Sequence, residues 1–181
     1  MKPEAPSPQQ LEEHALIAYQ EGRLEDGIEG FKAACQAYHA QGDEGKTAEM
    51  ANNLSVALLQ AKRPQEALKA LEGTTEVFLR LGDKHRAAQA FGNLGAALEA
   101  CGDVADAEVA YRQAADLFSN LGDVENRDYT LQALSRLQLR LGKPLEAITT
   151  MQTSLETKQR PGMRDRLLRR LLRLPYRLLG R

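Results

Sequence analysis

The sequence predicts an all-α protein: a right-handed α-solenoid of four 40-residue helix-turn-helix repeats, followed by an amphipathic C-terminal helix. Gly-Asp pairs recur at 40-residue intervals, at 42–43, 82–83 and 122–123. Between them, apolar residues return every three or four positions, the spacing of one helix face. The composition is rich in Ala, Leu, Glu, Gln and Arg with only 5% aromatics, which favours helices over strands.

Further series of residues keep the same 40-residue period. A series midway between the Gly-Asp pairs consists of Gly22, Lys62, Gly102 and Gly142. Five positions later come the small residues Gly27, Ala67, Ala107 and Ala147, which allow paired helices to approach closely. Four positions after these come the bulky residues Phe31, Leu71, Tyr111 and Met151. We expect the bulky residues to fill the seam to the next unit, because a lone helix pair cannot bury both of its apolar stripes.

The Gly, Asp and Pro residues at the junctions of the repeat predict where each helix begins and ends. A glycine such as Gly102 ends a helix in the left-handed conformation, and the following Asp103 caps the next helix through its carboxylate. Pro64 and Pro144 suit the first turn of a helix, where the missing N–H costs little. We therefore expect helices at 8–21, 24–41, 44–61, 64–81, 84–101, 104–121, 124–141 and 144–158.

The chain divides by composition and charge into three parts. Residues 1–7 are rich in proline and are expected to be disordered. Residues 8–158 form the repeat domain, with units at about 8–41, 44–81, 84–121 and 124–158. Residues 159–181 are expected to form a basic amphipathic helix. The net charge of −1 conceals the contrast, since residues 158–181 carry nine basic and one acidic side chain, whereas the remainder carries 15 basic and 24 acidic ones.

The third unit, with Leu94-Gly95, Leu98, Ala107, Tyr111 and Ala114, resembles the tetratricopeptide repeat (TPR). The second unit is a looser match. The fourth departs further, with Gln138 at a bulky position and Met151 in place of the aromatic residue. The 40-residue period and the segments "NNLSVALL" and "GNLGAAL" resemble the longer-helix repeats of kinesin light chains and spindle-orientation adaptors.

This resemblance implies a concave groove, lined by the first helix of each unit, that binds a protein or peptide segment. The implied groove residues are Glu49, Asn52, Asn53, Val56, Gln89, Asn93, Tyr129, Gln132, Arg136 and Arg140. Asn53 and Asn93 hold a family position whose carboxamides grip a peptide backbone, because a carboxamide both donates and accepts hydrogen bonds. The alternative is that the two asparagines tie neighbouring helices together. Recognition of chaperone C-termini is disfavoured. That subclass needs lysine and arginine side chains that clamp a terminal carboxylate, whereas Glu12 and Leu16 occupy two of the relevant positions here.

The segment "MRDRLLRRLLRLPYRLLGR" predicts a helix with one apolar and one basic side. Its apolar side holds Leu167, Leu168, Leu171, Leu172, Leu174, Leu178 and Leu179. Its basic side holds Arg166, Arg169, Arg170, Arg173, Arg177 and Arg181. Three interpretations stay open: a cap on the last repeat, a contact with an anionic membrane surface, and binding of nucleic acid or a protein partner. The acidic remainder of the chain argues against nucleic acid.

Catalysis is not indicated. His14, His39 and His85 fall on different predicted helices without catalytic or metal-ligand spacing, and no glycine forms a phosphate loop. His14 stands where other units have leucine and is expected to be partly buried. We therefore expect no enzyme activity, no metal and no cofactor.

The sequence contains neither a secretory signal nor an apolar run near the ~18 residues of a membrane span. Cys35 and Cys101 are expected to be free thiols in a reducing cytoplasm. We expect a cytoplasmic, non-enzymatic adaptor or scaffold, its basic helix capping the solenoid or touching a membrane. The alternative is a regulatory sensor domain whose C-terminal helix is autoinhibitory or binds a partner.

Overall fold

The computed structural model describes residues 6–156. This range is helical throughout, apart from short connecting turns, which confirms the predicted all-α class. Its helices are α1 (Pro8–Gln20), α2 (Leu24–Ala40), α3 (Glu44–Gln60), α4 (Pro64–Ala70), α5 (Thr74–Arg80), α6 (Lys84–Cys101), α7 (Val104–Leu121), α8 (Val124–Arg140) and α9 (Pro144–Glu156). The predicted N-terminal lead, apart from its last two residues, and the predicted C-terminal helix lie outside the described residues.

The helices alternate between two layers. Each packs against the next along the chain, except that α4 and α5 both pack against α3 and α6 instead of against each other. The inner helix α3 also packs against α6 of the following unit. We call α1, α3, α6 and α8, which begin the four units, the inner helices. The second members of the units, α2, α4 with α5, α7 and α9, are the outer helices. Turns of two or three residues join the helices, so sequential neighbours are also neighbours in space.

The repeated Gly-Asp pairs work as the sequence predicts at three junctions. Asp43, Asp83 and Asp123 each accept a hydrogen bond from the backbone N–H three residues later, at 2.9–3.1 Å. The glycines before them have φ between 71° and 75°. The prediction for Asp103 is wrong: it occupies the first position of the α7 cap, but its side chain accepts no cap hydrogen bond.

The second outer helix is not continuous, which corrects the predicted helix at 64–81. The chain leaves the helical conformation at Gly73, where φ is +73°, and divides this element into the seven-residue helices α4 and α5. The equivalent residues Ala33 and Gln113 lie inside unbroken helices. Glycine followed by Thr74 and Thr75 is a run of weak helix formers, and this is the signal that the repeat period concealed.

The predicted seam is the core of the stack. Phe31, Leu71 and Tyr111 are all buried, whereas Met151 in the fourth unit is only half-buried because no further repeat covers it among the described residues. The small residues of the adjoining series are buried as well. His14 is exposed, contrary to expectation, because no repeat of the described chain precedes α1.

Gly95 and Gly92 form a matched test of packing within α6. A Cβ on Gly95 would lie only 2.7 Å from the Tyr111 ring, whereas a Cβ on Gly92 would meet nothing within 4 Å. We expect Gly95→Ala to destabilise the protein by about 1–3 kcal/mol through overpacking. Gly92→Ala should stabilise it by about 0.5–1 kcal/mol, because alanine loses less backbone entropy in a helix. Urea unfolding followed by circular dichroism measures both, and equal effects would contradict the packing account.

Lys62 stands where the repeat otherwise has glycine, and its φ is +59°. A side chain in this left-handed conformation is strained, so Lys62→Gly should stabilise the protein by about 0.5–1 kcal/mol. Lys62→Ala is the control, because it removes the amine but keeps a Cβ in the strained conformation. If alanine stabilises as much as glycine in urea unfolding, the gain does not come from the backbone.

Candidate binding groove

A cavity of about 480 Å³ lies between the inner helices α3, α6 and α8. Most of the predicted groove residues meet there, one helical turn after another along three successive repeats. The predicted residues in its wall are Asn52, Asn53, Val56, Gln89, Asn93, Tyr129 and Arg136. The wall is therefore rich in carboxamides, and it contains one largely exposed aromatic ring, Tyr129, which is 73% exposed.

The two asparagines at the family position differ in their hydrogen bonding. The Asn93 Nδ2 donates to Oδ1 of Asn52 at 2.9 Å, which ties α6 to α3. The Asn53 carboxamide makes no hydrogen bond to any residue in the described range, although it is partly exposed in the cavity wall. One asparagine thus joins neighbouring helices, as the alternative interpretation required, and the other has its carboxamide available.

Three predicted residues lie outside the cavity wall. Glu49 is engaged in ion pairs, with its Oε2 3.4 Å from Lys46 Nζ and 3.3 Å from Arg86 Nη2. Arg140 pairs with Glu99, which does line the cavity. Gln132 is exposed on α8.

The cavity wall also holds side chains that were not predicted for the groove from the sequence. Tyr111 and Phe118 come from the outer helix α7 and reach the cavity through the seam. Asn126, Thr130 and Ala133 come from α8, together with Tyr129. Asn126, Thr130 and Ala133 follow one another at spacings of four and three, the spacing of one helix face, and this periodicity is the signal that would have found them.

The cavity wall contains two charged residues, of which only one is paired with an opposite charge within residues 6–156. Glu99 accepts a hydrogen bond from the Tyr111 hydroxyl at 3.0 Å and pairs with Arg140. Burial and the neighbouring Glu99 carboxylate raise the pKa of Tyr111. Arg136, the other charged residue of the wall, has no ion-pair partner in the described chain. The cavity therefore presents one uncompensated cation.

A polar cluster joins the inner helices nearer the N-terminus. The Glu12 carboxylate accepts hydrogen bonds from the Tyr38 hydroxyl and from Lys46 Nζ, the latter at 2.9 Å. Burial opposes ionisation of Glu12, but these two donors hold its pKa below the usual value. Burial and the Glu12 carboxylate raise the pKa of Tyr38 to about 12. The groups are thus fixed in single charge states near neutral pH and satisfy one another.

A second polar cluster lies among α7, α8 and α9. The nearly buried Glu108 carboxylate accepts hydrogen bonds from Lys143 at 2.8 Å, Arg112 at 2.6 Å and Gln138 at 3.2 Å. The fully buried Gln138 also accepts a hydrogen bond from Thr150 through its Oε1. Glutamine at this apolar position of the repeat is explained by its place in a satisfied buried network.

The described residues show neither a metal centre nor a membrane span. No group of three or more His, Cys, Asp and Glu side chains within residues 6–156 is arranged to hold a metal ion. None of the described helices is long and apolar enough to cross a bilayer.

Residues 86–160 and residues 47–81 match family models of the tetratricopeptide repeat. No curated protein matches the sequence. A solved structure of putative kinesin light chain TPR-like repeats from Podosopora anserina has a TM-score of 0.76 at 16% identity, covering 97% of this chain and 90% of that one.

Two further solved structures share the fold. BtubC (BKLC) from P. vanneervenii gives a TM-score of 0.76 at 21% identity, and 86% of this chain covers 66% of that one. A Rap protein complexed with Competence and Sporulation Factor gives 0.69 at 19% identity, and 83% of this chain covers 43% of that one. The present chain thus spans at most about two thirds of these two proteins.

Stacked helix pairs with a concave inner layer define an α-solenoid, a class of repeat protein that serves as a protein-interaction scaffold. This chain belongs to the tetratricopeptide repeat family, and its 40-residue units resemble those of kinesin light chains. Both the predicted family and the predicted fold class are confirmed.

The Glu108 cluster makes stability depend on acid. Hydrogen bonds from Lys143 and Arg112 lower the pKa of Glu108 to about 2. Because the folded-state pKa lies below the unfolded value, the stabilisation is present above pH ~4.5 and is lost as the pH falls towards ~2. We expect Glu108→Gln to cost about 1–3 kcal/mol at pH 7 and to flatten the fall in stability over that acid range, as measured by urea unfolding at several pH values.

Glu66→Gln is the matched control, because Glu66 pairs with Arg63 on the exposed surface of α4. Exposed ion pairs contribute little to stability. An acid profile changed as much by Glu66→Gln as by Glu108→Gln would show that the buried cluster is not its source.

Proposed function

We propose that this chain is an adaptor that holds an extended segment of a partner protein in the groove between α3, α6 and α8. The observation that carries the proposal is the 480 Å³ cavity, whose wall combines available carboxamides with an uncompensated arginine. Family membership supports an interaction scaffold in general. In the proposal, the partner segment lies in this cavity.

The carboxamides suit a peptide backbone. Asn53 has no hydrogen bond within the described chain, and Gln89 is exposed one repeat further along the same wall. A carboxamide donates through its nitrogen and accepts through its oxygen, so it pairs with the C=O and the N–H of a passing peptide. Recognition of this kind does not depend on the side chains of the partner.

Arg136 supplies the selective part of the proposed site. Its guanidinium is uncompensated, while the nearby Glu99 is already held by Arg140 and Tyr111. A partner segment that places an acidic side chain beside Arg136 gains a charge-assisted hydrogen bond. The exposed Tyr129 ring, seven residues earlier on α8, offers apolar area about 10 Å along the helix axis.

We also assign roles to the repeat domain as a whole and to the basic C-terminal residues. In the proposal, residues 8–158 form the binding domain, and the basic residues 159–181 either cap its last repeat or bring it to an anionic membrane surface. A pull-down of partners with and without residues 159–181 separates the two parts, because groove binding survives removal of the tail.

The groove is tested with peptides selected from a displayed random library by the wild-type chain. We expect the selected peptides to contain acidic residues. We expect Asn53→Ala to weaken their binding by about 1–3 kcal/mol, since a buried peptide group loses its partner. The melting temperature should stay unchanged, because Asn53 makes no hydrogen bond within the described chain. Isothermal titration calorimetry and thermal unfolding measure the two effects.

Asn93→Ala and Gln113→Ala are the controls for this test. Asn93→Ala should lower both affinity and stability, because it also breaks the hydrogen bond to Asn52. Gln113 is an exposed carboxamide on the outer helix α7, so Gln113→Ala should change neither quantity. A library that yields no binding peptide, or an Asn53→Ala variant that binds as tightly as wild type, would refute the groove as the binding site.

A further inference from the structure

The negative charge of the repeat domain is concentrated on its outer helices. The outer helices carry ten acidic and four basic side chains, whereas the inner helices carry seven acidic and six basic ones. The groove side is thus close to neutral and the outer side is strongly acidic. A basic segment is attracted to the outer side.

The outer side also contains a depression between α7 and α9. This cavity of about 250 Å³ has buried residues of the inner helix α8, Leu131 and Leu134, among its lining. The rest of its lining is largely polar and includes three threonines of α9, the exposed Asp116 and Arg112, whose guanidinium is already paired with two carboxylates. A cavity of about 150 Å³ holds a benzene molecule, so this one is large enough to take a leucine side chain.

Apolar and acidic side chains continue beyond the depression on the same two helices. Val109 on α7 is 54% exposed and Leu145 on α9 is 64% exposed. Asp106 lies one helical turn before Val109 and is exposed. The outer surface of α7 and α9 therefore exposes apolar and acidic groups beside the paired Arg112, and no other described element covers Val109 or Leu145.

The described chain ends within this surface. Its last element is α9, an outer helix, and the 25 residues that follow contain seven leucines together with eight arginines. Pro161-Gly162 allows the chain to reverse direction just after α9. Residues 163–174 span about 18 Å if helical, close to the length of α9.

We propose that residues 158–181 fold back onto the surface of α7 and α9, where leucines enter the depression over Leu131 and Leu134 and arginines pair with Asp106 and Asp116. The groove is the less favourable location, because the uncompensated Arg136 repels a basic segment there. In this arrangement the leucine side of the tail is covered and the groove stays open to a partner.

Paramagnetic relaxation enhancement locates the tail in the full chain. A nitroxide is attached at Tyr176→Cys in a protein whose Cys35 and Cys101 are replaced by alanine. We expect the label to broaden the amide resonances of Val109 and Leu145, and to leave those of Asn53 and Tyr129 sharp. Broadening confined to the groove residues would overturn the proposal, as would broadening at neither site, which would leave the tail free for a membrane.

Charge-reversal variants test which carboxylates hold the tail. Asp106→Lys with Asp116→Lys should abolish most of the broadening at Val109 and Leu145. Glu13→Lys with Glu125→Lys is the matched control, because these exposed carboxylates lie on inner helices. Equal loss of broadening in both variants would show attraction by net charge alone and would refute docking on α7 and α9.

A mixed sample decides whether the tail docks on its own chain. Spin-labelled chain without isotope enrichment is combined with unlabelled, ¹⁵N-enriched chain, so that broadening reports only contacts between copies. We expect no broadening at Val109 or Leu145 in this sample. Its appearance there would assign the surface to a second copy and would overturn the intramolecular proposal.

Discussion

The fold depends on the close approach of paired helices, as where the Tyr111 ring lies against the backbone of Gly95. Each helix pair leaves apolar surface that only its neighbours can cover, so the distance between helices determines whether the stack closes. Glycine at 95 admits the ring, and the ring then reaches the groove side, where its hydroxyl holds Glu99. Because Glu99 is also paired with Arg140, Arg136 is left as the available charge of the groove. Core packing and groove electrostatics are therefore set by the same residue.

Polar clusters take the place of apolar seams at two positions of the stack. Glu12, Tyr38 and Lys46 join the first two repeats, and Glu108, Gln138 and Lys143 join the last two. Apolar contacts tolerate small displacements, whereas a carboxylate held by two or three donors is satisfied in one arrangement only. We interpret these clusters as fixing the register between repeats, a role documented for buried polar groups in other helical assemblies.

The sequence predicts the helices well because each is specified several times over, by the apolar period, the Gly-Asp junctions and the repeat itself. The break at Gly73 was missed because the repeat period argued for a continuous helix and outweighed the local preference of glycine and threonine. The prediction that the Asp103 carboxylate caps α7 was wrong for a different reason. The residue pattern predicts which residue precedes the helix, but it does not predict how its carboxylate is oriented.

Seven of the ten residues predicted for the groove line the cavity. The hydrogen bond between Asn93 and Asn52 depends on the offset between α3 and α6, about which a single helix pattern contains no information. The contributions of Tyr111 and Phe118 likewise depend on how deeply the outer helix α7 reaches through the seam.

The division of the second outer helix at Gly73 affects how the repeat array unfolds. A seven-residue helix is too short to be stable in isolation. The helices α4 and α5 are therefore stabilised by packing against the inner helices beside them. In a linear array each unit is stabilised by itself and by its nearest neighbours, and a unit with little stability of its own is the weak link of the chain. We therefore expect unfolding of the array to begin at the second repeat.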